Sequence, residues 1–133
     1  MAHGTGGSIG TRDGYAVGVV ITVPPFPYEY GYAELSKGEP IRFRTAPDPD
    51  ERMHFHYGEV ALSDVGPVTS GSIGYIMVVT GTGADIAAAQ EAAYRRVRNV
   101  VVRNMRYRND IGDRLKRSDL STLRALGYLD DAQ

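Results

Sequence analysis

The sequence predicts an α+β domain: a mostly antiparallel sheet of four to five strands, packed by one long helix, with a short helix near the C-terminus. Three observations predict it. Apolar, β-branched runs too short for helices occupy residues 15–80, each closed by Gly or Pro. One stretch, Asp85 to Val102, repeats apolar residues at helical spacing. Strands come first and helices after, without the strand–helix alternation of a parallel sheet. At 133 residues the chain has the length of one domain. Such a chain buries about two thirds of its unfolded surface, enough for a true core.

Residues 1–14 are Gly-rich and polar and read as a flexible leader. Tyr15 to Val23 is continuously apolar and reads as a strand buried on both faces. Pro24, Pro25 and Pro27 end it, because proline cannot donate to a ladder. Residues 24–30 then form an extended aromatic loop, either lining a site or capping the core as a rigid turn. Ile41 to Thr45 is a short strand with Ile41 and Phe43 on one face and Arg42 and Arg44 on the other. Ala46 to Asp50 is a surface turn. Met53 to Leu62 alternates as one strand, with His54 and His56 sharing a face. Gly66 and Pro67 mark a turn. Val68 to Thr80 reads as a Gly-rich hairpin approach followed by a strand.

In the long helix, Ile86, Ala89, Ala93, Val97, Val100 and Val101 make one apolar stripe, with Arg95, Arg96 and Arg98 on other faces. Asp85 at its start and the arginines near its end complement the helix dipole. Met105 to Arg108 is expected as a short strand. Ser118-Asp119-Leu120 offers caps for the last helix, which carries Leu120, Leu123 and Leu126 and stops at Gly127.

The formal net charge is -1, and it hides an uneven distribution. Residues 1–94 carry 5 Lys/Arg against 11 Asp/Glu, whereas residues 95–117 carry 9 Lys/Arg against Asp110 and Asp113. A basic block in an acidic chain is either a solvated helix face or the footprint of an anionic partner. Cysteine is absent, which excludes disulfides, thiolate metal sites and a Cys nucleophile. No apolar run is long enough to span a membrane, and the N-terminus has no signal-peptide pattern. The nine tyrosines show no aromatic–basic pattern for nucleic acid. Neither a nucleic-acid nor a membrane partner is expected.

Gly81-Thr82-Gly83-Ala84-Asp85 joins a strand to a helix, the right setting for a phosphate. It lacks the third Gly of a dinucleotide fingerprint and the Gly-Lys-Ser/Thr of a P-loop, and Asp85 repels anions. His54 and His56 face one side of a strand, but no spacing supplies a third ligand, so no metal site is expected. No Gly-x-Ser-x-Gly elbow exists. Arg106-Tyr107-Arg108-Asn109-Asp110-Ile111-Gly112 gathers two guanidiniums, a ring, an amide and a carboxylate before a Gly. Its two readings, a phosphate- or carboxylate-binding site and a structural Arg–Asp pair, remain equally open on residue types alone.

The order of these blocks resembles the C-terminal domain of the phosphoribosylamine–glycine ligase (glycinamide ribonucleotide synthetase) family of ATP-grasp enzymes. Phe55-His56-Tyr57-Gly58 is similar to that family's Phe-His-Ala-Gly strand. Val78-Val79-Thr80-Gly81 followed by Ala89-Gln90-Glu91-Ala92-Ala93-Tyr94 resembles its Val-Thr-x-x-Gly and Ala-x-x-x-Ala-Tyr helix. Tyr107-Arg108-Asn109-Asp110-Ile111-Gly112 resembles its closing Tyr-Arg-x-Asp-Ile-Gly motif. The Pro24-Pro25-Phe26-Pro27 loop stands where the family has Gly-Gly-Tyr-Pro. The resemblance covers residues 15–115 and leaves 116–133 as a C-terminal extension. It implies a rudiment single hybrid-like fold, a cytoplasmic ligase of de novo purine biosynthesis, and an ATP-grasp domain or chain as partner. It also implies that ATP and magnesium belong to that partner, with no cofactor in this chain and no activity of the chain alone. Arg108, Asp110, Gly112 and His56 are then the substrate-binding candidates, facing a phosphate-bearing substrate. Two other readings differ in class. One is a non-catalytic module that keeps the fold and recognises another anion or protein; the weaker is an enzyme built on His54 and His56.

Overall fold

The computed structural model describes residues 12–129; the leader expected at 1–14 lies almost wholly outside them. Strand β1 (Tyr15–Thr22) pairs antiparallel with β6 (Tyr75–Gly83), from Tyr15 opposite Gly83 to Ile21 opposite Met77. Strand β3 (Phe55–Tyr57) joins the other edge of β6, antiparallel, with Phe55 opposite Val79. The order is therefore β1-β6-β3. Helix α3 (Ile86–Asn99) lies over one face and buries Ile86, Ala89, Ala93 and Val97. Those four follow the predicted stripe, and each fully buried Val side chain contributes about 1.5–3 kcal/mol. Helix and sheet approach closely at Gly81, where a Cβ would sit 2.2 Å from the Ala93 amide nitrogen. The Asp85 carboxylate caps the helix, accepting from the Ala88 amide at 2.7 Å.

Several expectations need correction. β1 is buried on one face only: Val17, Val19 and Ile21 are covered, while Ala16, Gly18 and Val20 are exposed. An apolar run does not distinguish one covered face from two. The strand expected from Met53 to Leu62 breaks after Tyr57, and β4 (Val60–Ser63) pairs with β5 (Gly66–Thr69) in a separate hairpin. The break is at Glu59, whose carboxylate accepts from the amides of Ser72, Ile73, Gly74 and Tyr75. The Glu59 amide still donates to the Tyr75 carbonyl of β6, while its carbonyl accepts from the Ser70 amide and so starts the next pairing. Pro67, expected in a turn, lies within β5 opposite Leu62. β2 (Arg42–Phe43) pairs with β7 (Val100–Val101) as a third small sheet. All these pairings are antiparallel, but the strands are divided among three sheets.

The long helix ends at Asn99, so Val100 is buried as a strand residue and Val101 is 39% exposed. Arg96, expected on an outer face, is buried. Met105 to Arg108 forms no strand; Arg106 makes one bridge, exchanging both backbone bonds with Thr22 at 2.9 and 2.8 Å. The last helix, α4 (Leu120–Ala125), follows a π-helical turn over Leu115–Asp119, so Ser118 and Asp119 lie inside helical backbone and Asp119 caps nothing. Leu126 is exposed, and Gly127 ends the helix with the Tyr128 amide bonded to the Leu123 carbonyl at 3.0 Å. The proline loop divides: Ser36 Oγ donates to the Pro24 carbonyl and the Phe26 ring lies 6.4 Å from that of Tyr75, whereas Tyr28 and Tyr30 are exposed.

Candidate functional site

The chain that leaves β7 returns along the free edge of β1, held at Thr22–Arg106, and then turns at Gly112. Helix α3 positions this return segment. The Tyr94 hydroxyl donates to the Arg108 carbonyl at 2.8 Å and accepts from the Ile111 amide at 3.0 Å. The Gln90 amide donates to the Ile111 carbonyl at 2.8 Å and to the Asp113 carboxylate at 2.7 Å. Gln90 and Tyr94 are four residues apart, so both face the segment from one side of the helix. Burial raises the Tyr94 phenol above its ordinary pKa, so it remains a donor at neutral pH.

Arg108 and Asp110 meet as the extended spacing predicts. Arg108 Nε donates to Asp110 Oδ1 at 2.9 Å and Nη2 to Oδ2 at 2.7 Å. The pair is open to water, with side chains 74% and 49% exposed. The bonded guanidinium holds the Asp110 carboxyl below its ordinary range. Gly112 has φ 93°, while a Cβ there would meet only ordinary contacts of 3.6 Å or more, so conformation rather than space requires glycine.

His56 does not join this corner. Its Nε2 lies 3.2 Å from Thr80 Oγ1, and His54 Nδ1 lies 3.1 Å from the same oxygen. β3 is the edge opposite β1, and His56 shares the row of Val78 and Val20, on the face away from α3. The predicted set thus divides: Arg108, Asp110 and Gly112 together, His56 across the sheet. Burial, then the charge of Arg96, depresses the His54 pKa.

Sequence reasoning missed a second fork. Arg96 Nε and Nη2 donate to Glu51 at 2.8 and 3.0 Å, and Nη1 reaches the Thr80 carbonyl at 3.1 Å. Arg95 adds a bond to the same carboxylate at 2.9 Å. Glu51 is consequently held below the ordinary carboxylate range, the Arg96 bond first among the causes. With 45 positions between the partners, no local spacing could announce this contact.

The residues do not fit ATP or its magnesium at the strand–helix link. Gly81 and Gly83 are filled against by α3, and Asp85 takes the helix's amides. Among the described residues no three His, Asp or Glu side chains gather as metal ligands. No helix among them is long and apolar enough to cross a membrane.

The family described as "Phosphoribosylglycinamide synthetase, C domain" matches residues 16–114, from β1 through the Arg108–Gly112 corner. The chain belongs to this family. Phosphoribosylamine–glycine ligase of Pseudomonas aeruginosa is 36% identical over 98 residues, covering 74% of this chain and 21% of the relative. The ligase of Rhizobium meliloti is 35% identical over 101 residues, covering 76% and 22%. The crystal structure of the Thermotoga maritima ligase superposes with a TM-score of 0.57 at 27% identity, over 73% of this chain and 22% of that one. This C domain therefore spans about a fifth of the length of the ligases it matches.

Proposed function

We propose that this C domain serves an ATP-dependent phosphoribosylamine–glycine ligase of purine biosynthesis, docking on an ATP-grasp core and closing its substrate cleft. The observation that carries the reading is the corner at Arg108–Gly112, inside the family match and clamped on both sides by Tyr94 and Gln90. Arg108 uses two of its five N–H donors on Asp110 and leaves three for a substrate phosphate. Asp110 orients the fork; Gly112 sets the turn. ATP and magnesium belong to the core, and the isolated chain performs no ligation.

The test mixes the purified chain with the Pseudomonas aeruginosa ligase lacking its matched C-terminal fifth. With ATP, magnesium, glycine and phosphoribosylamine, the chain alone forms no glycinamide ribonucleotide, the truncated ligase forms little, and the mixture recovers turnover. Turnover by the chain alone, or a mixture no better than the truncated ligase, overturns the reading.

A further inference from the structure

The basic block at residues 95–117 is only partly used by the Arg108 corner. Its helical portion faces a different feature, a cleft of about 420 Å³ between the last turns of α3 and the 44–51 segment. Four arginines line it (Arg44, Arg95, Arg96 and Arg98) against two acids, Asp48 and Glu51. Of the two acids, Glu51 is neutralised and Asp48, a helix cap, keeps its charge, so four guanidiniums against two carboxylates leave the lining net positive by two. Asp48 accepts from the Glu51 amide at 2.8 Å, and Glu51 is forked by Arg96 with Arg95 beside it. Arg98 is exposed, and among the described residues its guanidinium makes no hydrogen bond or ion pair. Arg44 uses only Nε, on the Arg98 carbonyl at 3.0 Å.

The walls are also fixed relative to each other. The Asn99 side chain accepts from the Thr45 amide at 2.9 Å and donates to the Thr45 carbonyl at 2.8 Å. The Arg44 amide donates to the Asn99 carbonyl at 2.9 Å. The guanidiniums are thus carried on pinned backbone, which lowers the ordering cost of binding. The C-terminal dipole of α3 opposes an anion with about half an elementary charge, too little to cancel three forks with open donors.

We propose that this cleft binds a small oligophosphate anion, at a site separate from the Arg108 corner and independent of the ligase reading. Guanidinium forks match phosphate oxygens, and one cleft with three of them selects two linked phosphates over one. The volume accommodates a di- or triphosphate group.

The test titrates inorganic pyrophosphate, and separately orthophosphate, into the full chain at low salt, followed by calorimetry and amide NMR. Saturable pyrophosphate binding is expected, with the shifts centred on Thr45, Arg95, Arg98 and Asn99. Orthophosphate should bind more weakly by about tenfold, the equivalent of one lost charge-assisted contact. Arg95→Gln with Arg98→Gln should weaken pyrophosphate by about tenfold or more. Its melting temperature should stay unchanged, because Glu51 keeps its Arg96 fork. Arg108→Gln should bind pyrophosphate like the parent. Three results overturn the proposal: no saturation up to about 10 mM, where any affinity is below about 3 kcal/mol; shifts centred on residues 106–117; or an RNA oligonucleotide outcompeting pyrophosphate with shifts over the whole basic block.

Discussion

Two arginine–carboxylate forks, one rooted on helix α3 and one on the segment beside it, share their geometry but differ in exposure and in reach. Arg96–Glu51 and Arg108–Asp110 are both bidentate, with bonds of 2.7–3.0 Å. The first has side chains 10% and 27% exposed, the second 74% and 49%. Arg96 adds a backbone carbonyl and ties the α2 turn (Pro49–Arg52) to the strand β6. Arg108 ties only its own segment, two residues away. Desolvation makes a lost partner expensive at the first site, whereas solvent screens the second and leaves its free donors available to a ligand. The same pairing therefore ties distant elements together on one flank and stays local and hydrated on the other.

The largest expected effect comes from breaking the inner fork. Arg96→Met leaves Glu51 only its Arg95 bond and strips the Thr80 carbonyl of its donor, and should cost up to about 3 kcal/mol, read from urea denaturation. Next is Val97, its neighbour on the helix and fully buried. Val97→Ala should cost about 1–3 kcal/mol through lost burial and a cavity. Near-equal losses at the two positions would mean that the inner fork is worth no more than one core methyl pair. Gly112→Ala follows at about 1–2 kcal/mol, the cost of forcing an L side chain to positive φ. Arg108→Lys is the smallest, with no resolvable change in thermal melting, since an exposed pair is screened by solvent. In the ligase assembled as described above, that variant should nonetheless raise the KM for phosphoribosylamine.

Acid sharpens the same contrast. The Glu51 carboxyl titrates below the ordinary carboxylate range, chiefly because of the Arg96 bond. A depressed carboxyl contributes stability above the unfolded pKa and loses it as pH falls through the folded value. Stability should therefore fall as pH drops from about 5 through the depressed folded pKa, with Arg96→Met showing a smaller drop. Glu59 acts in the same direction: burial raises its pKa, but the four amides outweigh that and lower it. A residual acid loss in Arg96→Met is expected from this second carboxylate. An identical acid loss in parent and variant would remove Glu51 from the account.

Much of the fold was legible because its signals are local. The stripe Ile86, Ala89, Ala93, Val97 repeats with the helix period, and the Asp85 cap lies one residue before it. The alternation Ile41 in, Arg42 out and Phe43 in gives β2 its faces. The Arg108–Asp110 contact follows from the two-residue period of extended chain. That His56 lies across the sheet from that pair could not be read, because sequence order says nothing about which sheet edge a strand occupies. The break at Glu59 was invisible because alternation continues through it while its carboxylate seeks amides more than ten residues ahead.

What the sequence determined by itself is therefore the α+β class, the first strand and the long helix with its core stripe, the closing corner's internal pairing, and the family. What only the tertiary structure decided is which face of β1 is covered, how the strands divide among three sheets, and which arginine of the 95–98 cluster is buried. The reason is physical. Periodicity records how a residue points from its own backbone, and a few neighbouring positions suffice to read it. Whether that direction ends in water, in a helix or on a carboxylate 45 positions away depends on chain closure, and the free energy of a charge depends on that destination more than on the charge itself.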